Sequence, residues 1–139
     1  MGSDMDTGAV ETTFYVRYAE TDAMGIVHHS VYPVWFEEAR SEYMRQMGHN
    51  YAQVEAAGYF FAVTGLEARF HAPARYGHAV VVRAWVAELR SRGFTFAYQV
   101  RHAETDQQLV TGRTSHVCID GQGRPRTVPS WLRQMMTTG

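Results

Sequence analysis

The chain contains no lysine, one cysteine and four prolines in 139 residues, and each scarcity narrows what it can be. Cys118 has no second cysteine to pair with, which excludes an internal disulfide, fits a reducing compartment and makes a cytoplasmic location the expectation. No apolar run approaches the roughly 20 residues that a membrane-crossing helix needs, so no membrane partner is expected. All 13 basic residues are arginine, and against 14 acidic residues they leave a formal net charge of -1. Such a balance provides no global field for nucleic acid, and nucleic acid is not an expected partner. Any contact to a phosphate falls to guanidinium forks, which suit planar oxyanions. Repeats, low-complexity tracts and linkers are also missing. The polar opening, residues 1–11, lacks a signal-peptide apolar block and reads as a flexible leader, with residues 12–136 as a single domain.

What is present is core-forming material, 45% hydrophobic and 13% aromatic. From Thr12 to Tyr18, Phe14, Val16 and Tyr18 alternate with Thr13, Tyr15 and Arg17, the pattern of a half-buried strand. Over residues 31–47 the period becomes helical. Tyr32, Trp35, Phe36, Ala39, Tyr43 and Met47 share one side, and Glu37, Arg40, Ser41 and Arg45 the other. Ser30 is the expected N-cap, Pro33 suits the first turn, and Gly48 ends the helix. A shorter helix is expected from Tyr51 to Ala57. After Tyr59 the period is two, with strands expected at Tyr59–His71, His78–Arg90, Gly93–His102 and Gln108–Asp120. The short breaks between them have turn chemistry and point to antiparallel neighbours. Pro129 to Met136 can add a terminal helical turn. The order predicts an α+β domain in which one helix lies on a strongly curved five-stranded antiparallel sheet. One helix cannot cover such a sheet or its edges, so self-association is expected.

The densest polar stretch joins the first strand to the long helix: Tyr18-Ala-Glu-Thr-Asp22-Ala-Met-Gly25-Ile-Val-His28-His29-Ser-Val-Tyr32. Asp22 has two readings. It can be a turn former, or it can be a reactive carboxylate just upstream of a helix N-terminus, whose N–H groups can hold an oxyanion. Gly25 supplies backbone freedom there. The His28–His29 pair has no third ligand at a matched spacing, so no metal is expected. No serine lies in a nucleophile elbow, and Cys118 falls in a strand, where burial is the ordinary outcome. Arg90, Ser91 and Arg92 form a compact basic turn, either a solvated hairpin end or a phosphate contact. Tyr32 and Trp35 are core residues that can also line a substrate slot.

These residues carry a resemblance. The stretch from Tyr18 to Tyr32 resembles the signature of the hotdog-fold acyl-CoA thioesterases, in their 4-hydroxybenzoyl-CoA thioesterase and YbgC-like branch. Phe70-His-Ala-Pro73-Ala-Arg-Tyr76-Gly77, Phe94-Thr-Phe96-Ala-Tyr98 and Asp120-Gly-Gln-Gly123-Arg-Pro125 are similar to the same family. The resemblance implies one long central helix wrapped by the sheet, a homodimer or homotetramer, and active sites at a dimer interface. It places the catalytic aspartate on Asp22 and the thioester-polarising backbone N–H on His29. It also puts an acyl-ring contact on Glu37, where the hydroxybenzoyl enzyme has aspartate, and coenzyme A contacts at Arg90, Ser91 and Arg92. The implied reaction takes an acyl-CoA to free acid and CoA without a separate cofactor, and Asp22 acts as nucleophile or general base. Two other readings stand beside it. One is a hotdog hydratase or dehydratase, against which Ala23 and Met24 stand where those relatives carry asparagine. The other is a noncatalytic acyl-CoA binding domain.

Overall fold

The structure is a computed structural model that describes residues 8–138. Most of the expected leader, residues 1–7, lies outside the described residues. Nine elements follow in the order β1 (Val10–Tyr15), a single 3-10 turn (Tyr18–Glu20), α1 (Val31–Gln46), α2 (Tyr51–Ala56), β2 (Phe60–Phe70), β3 (Ala79–Arg90), β4 (Gly93–His102), β5 (Gln108–Ile119) and α3 (Ser130–Thr138). The strands form one antiparallel sheet in the order β1-β3-β4-β5-β2.

The short Ser91–Arg92 and 103–107 connections make β3, β4 and β5 consecutive neighbours, as their turn chemistry requires. The expectation fails between β2 and β3. Those strands are not paired: β2 lies at the far edge against β5, so residues 71–78 form a crossover rather than a hairpin. Three strand spacings amount to roughly 14 Å, well inside the roughly 26 Å reach of eight residues. Proline and glycine mark a change of direction there, but they do not say how far the chain travels before it pairs again.

Helix α1 packs into the sheet through Tyr32, Trp35, Phe36, Ala39, Tyr43 and Met44, all buried. Each large side chain taken from water contributes roughly 1.5–3 kcal/mol. Opposite them lie Phe94, Phe96, Tyr98 and Val100 of β4, the middle strand. Phe36 stacks on Tyr98 with ring centroids 4.2 Å apart. Register breaks at Val63/Gly65 in β2 and Val86/Glu88 in β3 supply local bends to a sheet that wraps a helix.

Two details of α1 differ from the helical pattern. Ser30 does not cap it with its side chain; Ser30 has helical φ and ψ of -70° and -14°, and its hydroxyl pairs with His28 Nδ1 at 2.8 Å. Arg40 is not on the solvent side. It is 8% exposed, and its Nη1 donates to Tyr98 Oη at 3.0 Å. The stem of arginine packs like an aliphatic chain, so an arginine beside an apolar stripe can turn inward once hydroxyls meet its head. Gly48 ends the helix as expected, at φ +98°.

Candidate active site

Residues 20–28 double back as a miniature antiparallel hairpin. His28 N–H donates to Glu20 O at 2.9 Å, Thr21 and Val27 form a β-bridge, and Asp22 N–H donates to Ile26 O at 2.8 Å. Gly25 turns the tip at φ +80°, where any Cβ would be strained. Asp22 closes the tip from inside, its Oδ1 accepting the Met24 N–H at 2.8 Å and, more loosely, the Ile26 N–H at 3.4 Å. Turn former is therefore one of its roles. Its second oxygen, Oδ2, accepts no hydrogen bond among the described residues.

The crossover that the sequence did not reveal holds this hairpin in place. Val27 N–H donates to Ala74 O at 2.9 Å, and Ile26 bridges to Arg75. The same segment forms a wall. Asp22, His29 and Tyr32 share a cavity of about 400 Å³ with Ile26, Val27 and the run Phe70–Pro73. Tyr32 is buried, its ring edge-on to Phe70 at 5.6 Å, and burial raises its hydroxyl above the ordinary phenol range against the opposing pull of a hydrogen bond to the Ala74 backbone.

The N–H groups leading into α1 are unequally occupied. Those of His28, Ser30 and Val31 go to Glu20 O, His28 Nδ1 and His28 O. That of His29 has no acceptor among the described residues. It lies at the helix start, where the peptide dipoles sum to partial positive charge. The His28 and His29 rings sit 4.1 Å apart, and no group of three or more metal-ligating side chains exists among the described residues.

Other candidates sit elsewhere in the single chain. Glu37 is exposed on α1, outside the lining of this cavity. Arg90, Ser91 and Arg92 line a different depression, of about 340 Å³, with Gly93 and His116. Arg90 is paired with Glu88 Oε1 at 2.7 Å, and Arg133 of α3 donates to the Arg90 and Ser91 carbonyl oxygens.

Sequence reasoning missed three participants. Phe70 and His71 read as strand residues yet wall the Asp22 cavity, because the crossover brings the end of β2 beside the loop. Glu20 is a buried carboxylate, 7% exposed, bound to Trp35 from fifteen residues away. No local spacing announces that contact. Burial pushes the Glu20 carboxyl up, but hydrogen bonds from the Arg17 backbone and the Trp35 indole, with the Arg17 guanidinium, outweigh it and hold the group below the ordinary carboxylate range.

A helix wrapped by a curved five-stranded antiparallel sheet is the hotdog architecture. The sequence profile of the thioesterase-like superfamily matches residues 3–136, and the chain belongs to that family. YneP of Bacillus subtilis (strain 168) is 30% identical over 121 residues, which cover 84% of this chain and 87% of that protein. The crystal structure of protein TT1821 from Thermus thermophilus superposes with a TM-score of 0.85 at 43% identity, over 91% of this chain and 96% of that one. The DHNA-CoA thioesterase of Staphylococcus aureus superposes with a TM-score of 0.84 at 31% identity, over 90% and 87% of the two chains. The protein is a thioester hydrolase. No helix among the described residues is long and apolar enough to cross a membrane.

Proposed function

We propose that this hydrolase takes an acyl-CoA in the cytoplasm and releases free acid and CoA, with Asp22 supplying the reactive oxygen and the His29 backbone N–H holding the thioester carbonyl oxygen. The observation that carries the reading is the shared cavity: Asp22 retains an unbonded oxygen and His29 an unbonded N–H, and both wall the same 400 Å³ space. As the carbonyl carbon is attacked, charge gathers on its oxygen, and a pre-oriented donor at a helix start stabilises that charge more than the ground state. Asp22 either attacks the carbon, expelling CoA thiolate and leaving a mixed anhydride that water hydrolyses, or takes a proton from the attacking water. Both routes end in the same acid and thiol. A thioester is already activated, so carboxylate, N–H and water suffice without a cofactor.

The working form in this reading is a homodimer or homotetramer. β2 is an edge strand with Val63, Leu66 and Phe70 exposed, and Phe70 also lines the cavity, so a second protomer on that edge would help enclose the site. Tyr32 would pack beside the acyl group, Glu37 would reach it across the interface, and Arg90, Ser91 and Arg92 would meet coenzyme A. The test is a thiol-release screen over short, long and aromatic acyl-CoAs, run with the wild type and Asp22→Asn. The variant is expected to fold and to lose at least about a hundredfold in turnover. Wild-type turnover in Asp22→Asn would overturn the assignment, as would CoA binding without thiol release across the whole panel.

A further inference from the structure

We infer that Glu20 and Trp35 act together as a positioning pair that sets the Asp22 loop against the start of α1. The inference rests on the roles proposed above for Asp22 and His29. Glu20 holds three things at once. Its Oε1 accepts the Arg17 N–H at 2.8 Å, which fixes the exit from β1. Its Oε2 accepts the Trp35 Nε1–H at 3.1 Å and the Arg17 guanidinium at 3.2 Å, which ties the loop to α1. Its backbone carbonyl accepts the His28 N–H at 2.9 Å, immediately before the unused N–H of His29.

Glu20 is also two residues from Asp22 but opposite to it in environment. Both of its oxygens are occupied and it is buried, so it is no base for a substrate; Asp22 keeps one oxygen free. Trp35 is an anchor and not a cavity wall. It is 3% exposed, stacked on Phe14 of β1 at 5.8 Å and edge-on to Tyr32 at 5.2 Å. The indole thus connects the strand before the loop, the loop itself and the cavity residue Tyr32. Burying a carboxylate is costly unless its hydrogen bonds are complete, and here the bonds that complete it all constrain the same loop. A misplacement of a catalytic group by about 1 Å can lower turnover a hundredfold.

The test uses Glu20→Gln, Trp35→Phe and the double variant of the full chain, with kcat and KM for the best acyl-CoA, thermal midpoints, and amide exchange at Met24, Ile26 and His28. In Glu20→Gln, kcat is expected to fall about 10- to 100-fold with KM within about threefold, and those three amides to exchange at least about tenfold faster while core strand amides do not change. Trp35→Phe should move both readouts the same way. The double variant should be no worse than the poorer single one, because both break one link. Multiplicative effects, or loop amides and kcat both unchanged in either folded variant, would overturn the inference. Should Glu20→Gln fail to fold, Trp35→Phe decides by itself. Inactivity of the wild type towards every acyl-CoA would count against the proposed reaction, and the amide readout would still decide the positioning pair.

Discussion

Arg40 Nη1 donates to Tyr98 Oη at 3.0 Å inside the core, with no carboxylate within ion-pair distance among the described residues. Tyr98 Oη in turn lies 2.5 Å from Thr114 Oγ1, and Thr114 Oγ1 lies 2.8 Å from His116 Nε2. A guanidinium only donates, so Tyr98 Oη accepts from Arg40, and the Thr114 hydroxyl links Tyr98 onward to His116 Nε2. Arg40 Nε is buried without a partner.

An isolated buried cation is stabilised by the hydroxyls around it and offers no net gain over an apolar side chain of similar volume. Arg40→Met is expected to lie within about 1 kcal/mol of wild type, whereas Tyr98→Phe, which leaves the guanidinium only the Tyr51 hydroxyl of the two that meet it, should cost about 2 kcal/mol. Urea unfolding of both variants gives the comparison. The opposite ranking would mean that the charge itself stabilises the fold.

His116 sets an acid limit on stability. Burial, reinforced by the Arg40 charge, holds its imidazole down to about 3 from an ordinary 6.5. Between those values the unfolded chain binds a proton that the folded chain refuses, so stability falls as pH is lowered through that window, by at most about 1.4 kcal/mol per pH unit from this group. The depressed carboxyls of Glu20 and Glu11 add losses only below their ordinary 4.5. Stability curves of wild type and His116→Gln should therefore diverge in slope between 6.5 and 4.5, the variant being flatter. Parallel curves would remove His116 from the account.

Gly112 of β5 faces the ring of Phe36. A Cβ there would meet Phe36 Cε2 and Cζ at 2.6 Å and the Glu67 carbonyl oxygen at 2.9 Å. Gly112→Ala is expected to cost about 1–3 kcal/mol and lower the thermal midpoint by several degrees. Adding Phe36→Leu, which shortens the opposing side chain, should recover part of the loss. An unchanged midpoint in the single variant would show that α1 can shift outward freely.

The donor assigned to His29 is its backbone N–H, so the side chain should matter less than the position. His29→Ala keeps that N–H and is expected to retain kcat within about tenfold, compared with the hundredfold or more that follows loss of an oxyanion donor. Steady-state thiol release at saturating acyl-CoA measures it. A loss comparable to that of Asp22→Asn would move the imidazole into the chemistry.

Local periodicity made most of this fold legible. Phe14 alternating with Thr13 and Tyr15 marks β1, and β4, where aromatics recur every second residue from Phe94 to Tyr98, was bounded correctly at both ends. Side-chain direction is tied to secondary structure, so the repeat of hydrophobic residues reports the element directly. The same rule misjudged Arg40, because periodicity treats a residue by its charge and not by the hydroxyls that await it. The Asp22 stretch was legible as a region through its polar density and its place before a helix. Its internal hairpin was not, since Glu20 O, Ile26 O and the Asp22 side chain find their partners only once the loop has closed.

By itself the sequence determined the elements, their limits to within a few residues and the position of the candidate carboxylate before α1. These follow from chain-local physics: period, turn chemistry and helix ends. The tertiary structure alone decided that β2 crosses to the far edge, that Phe70 and His71 therefore wall the cavity, and that Glu20 reaches Trp35. Contacts between residues distant in sequence depend on which of many possible closures buries the most apolar surface with its polar groups satisfied, and that is a property of the whole packed chain.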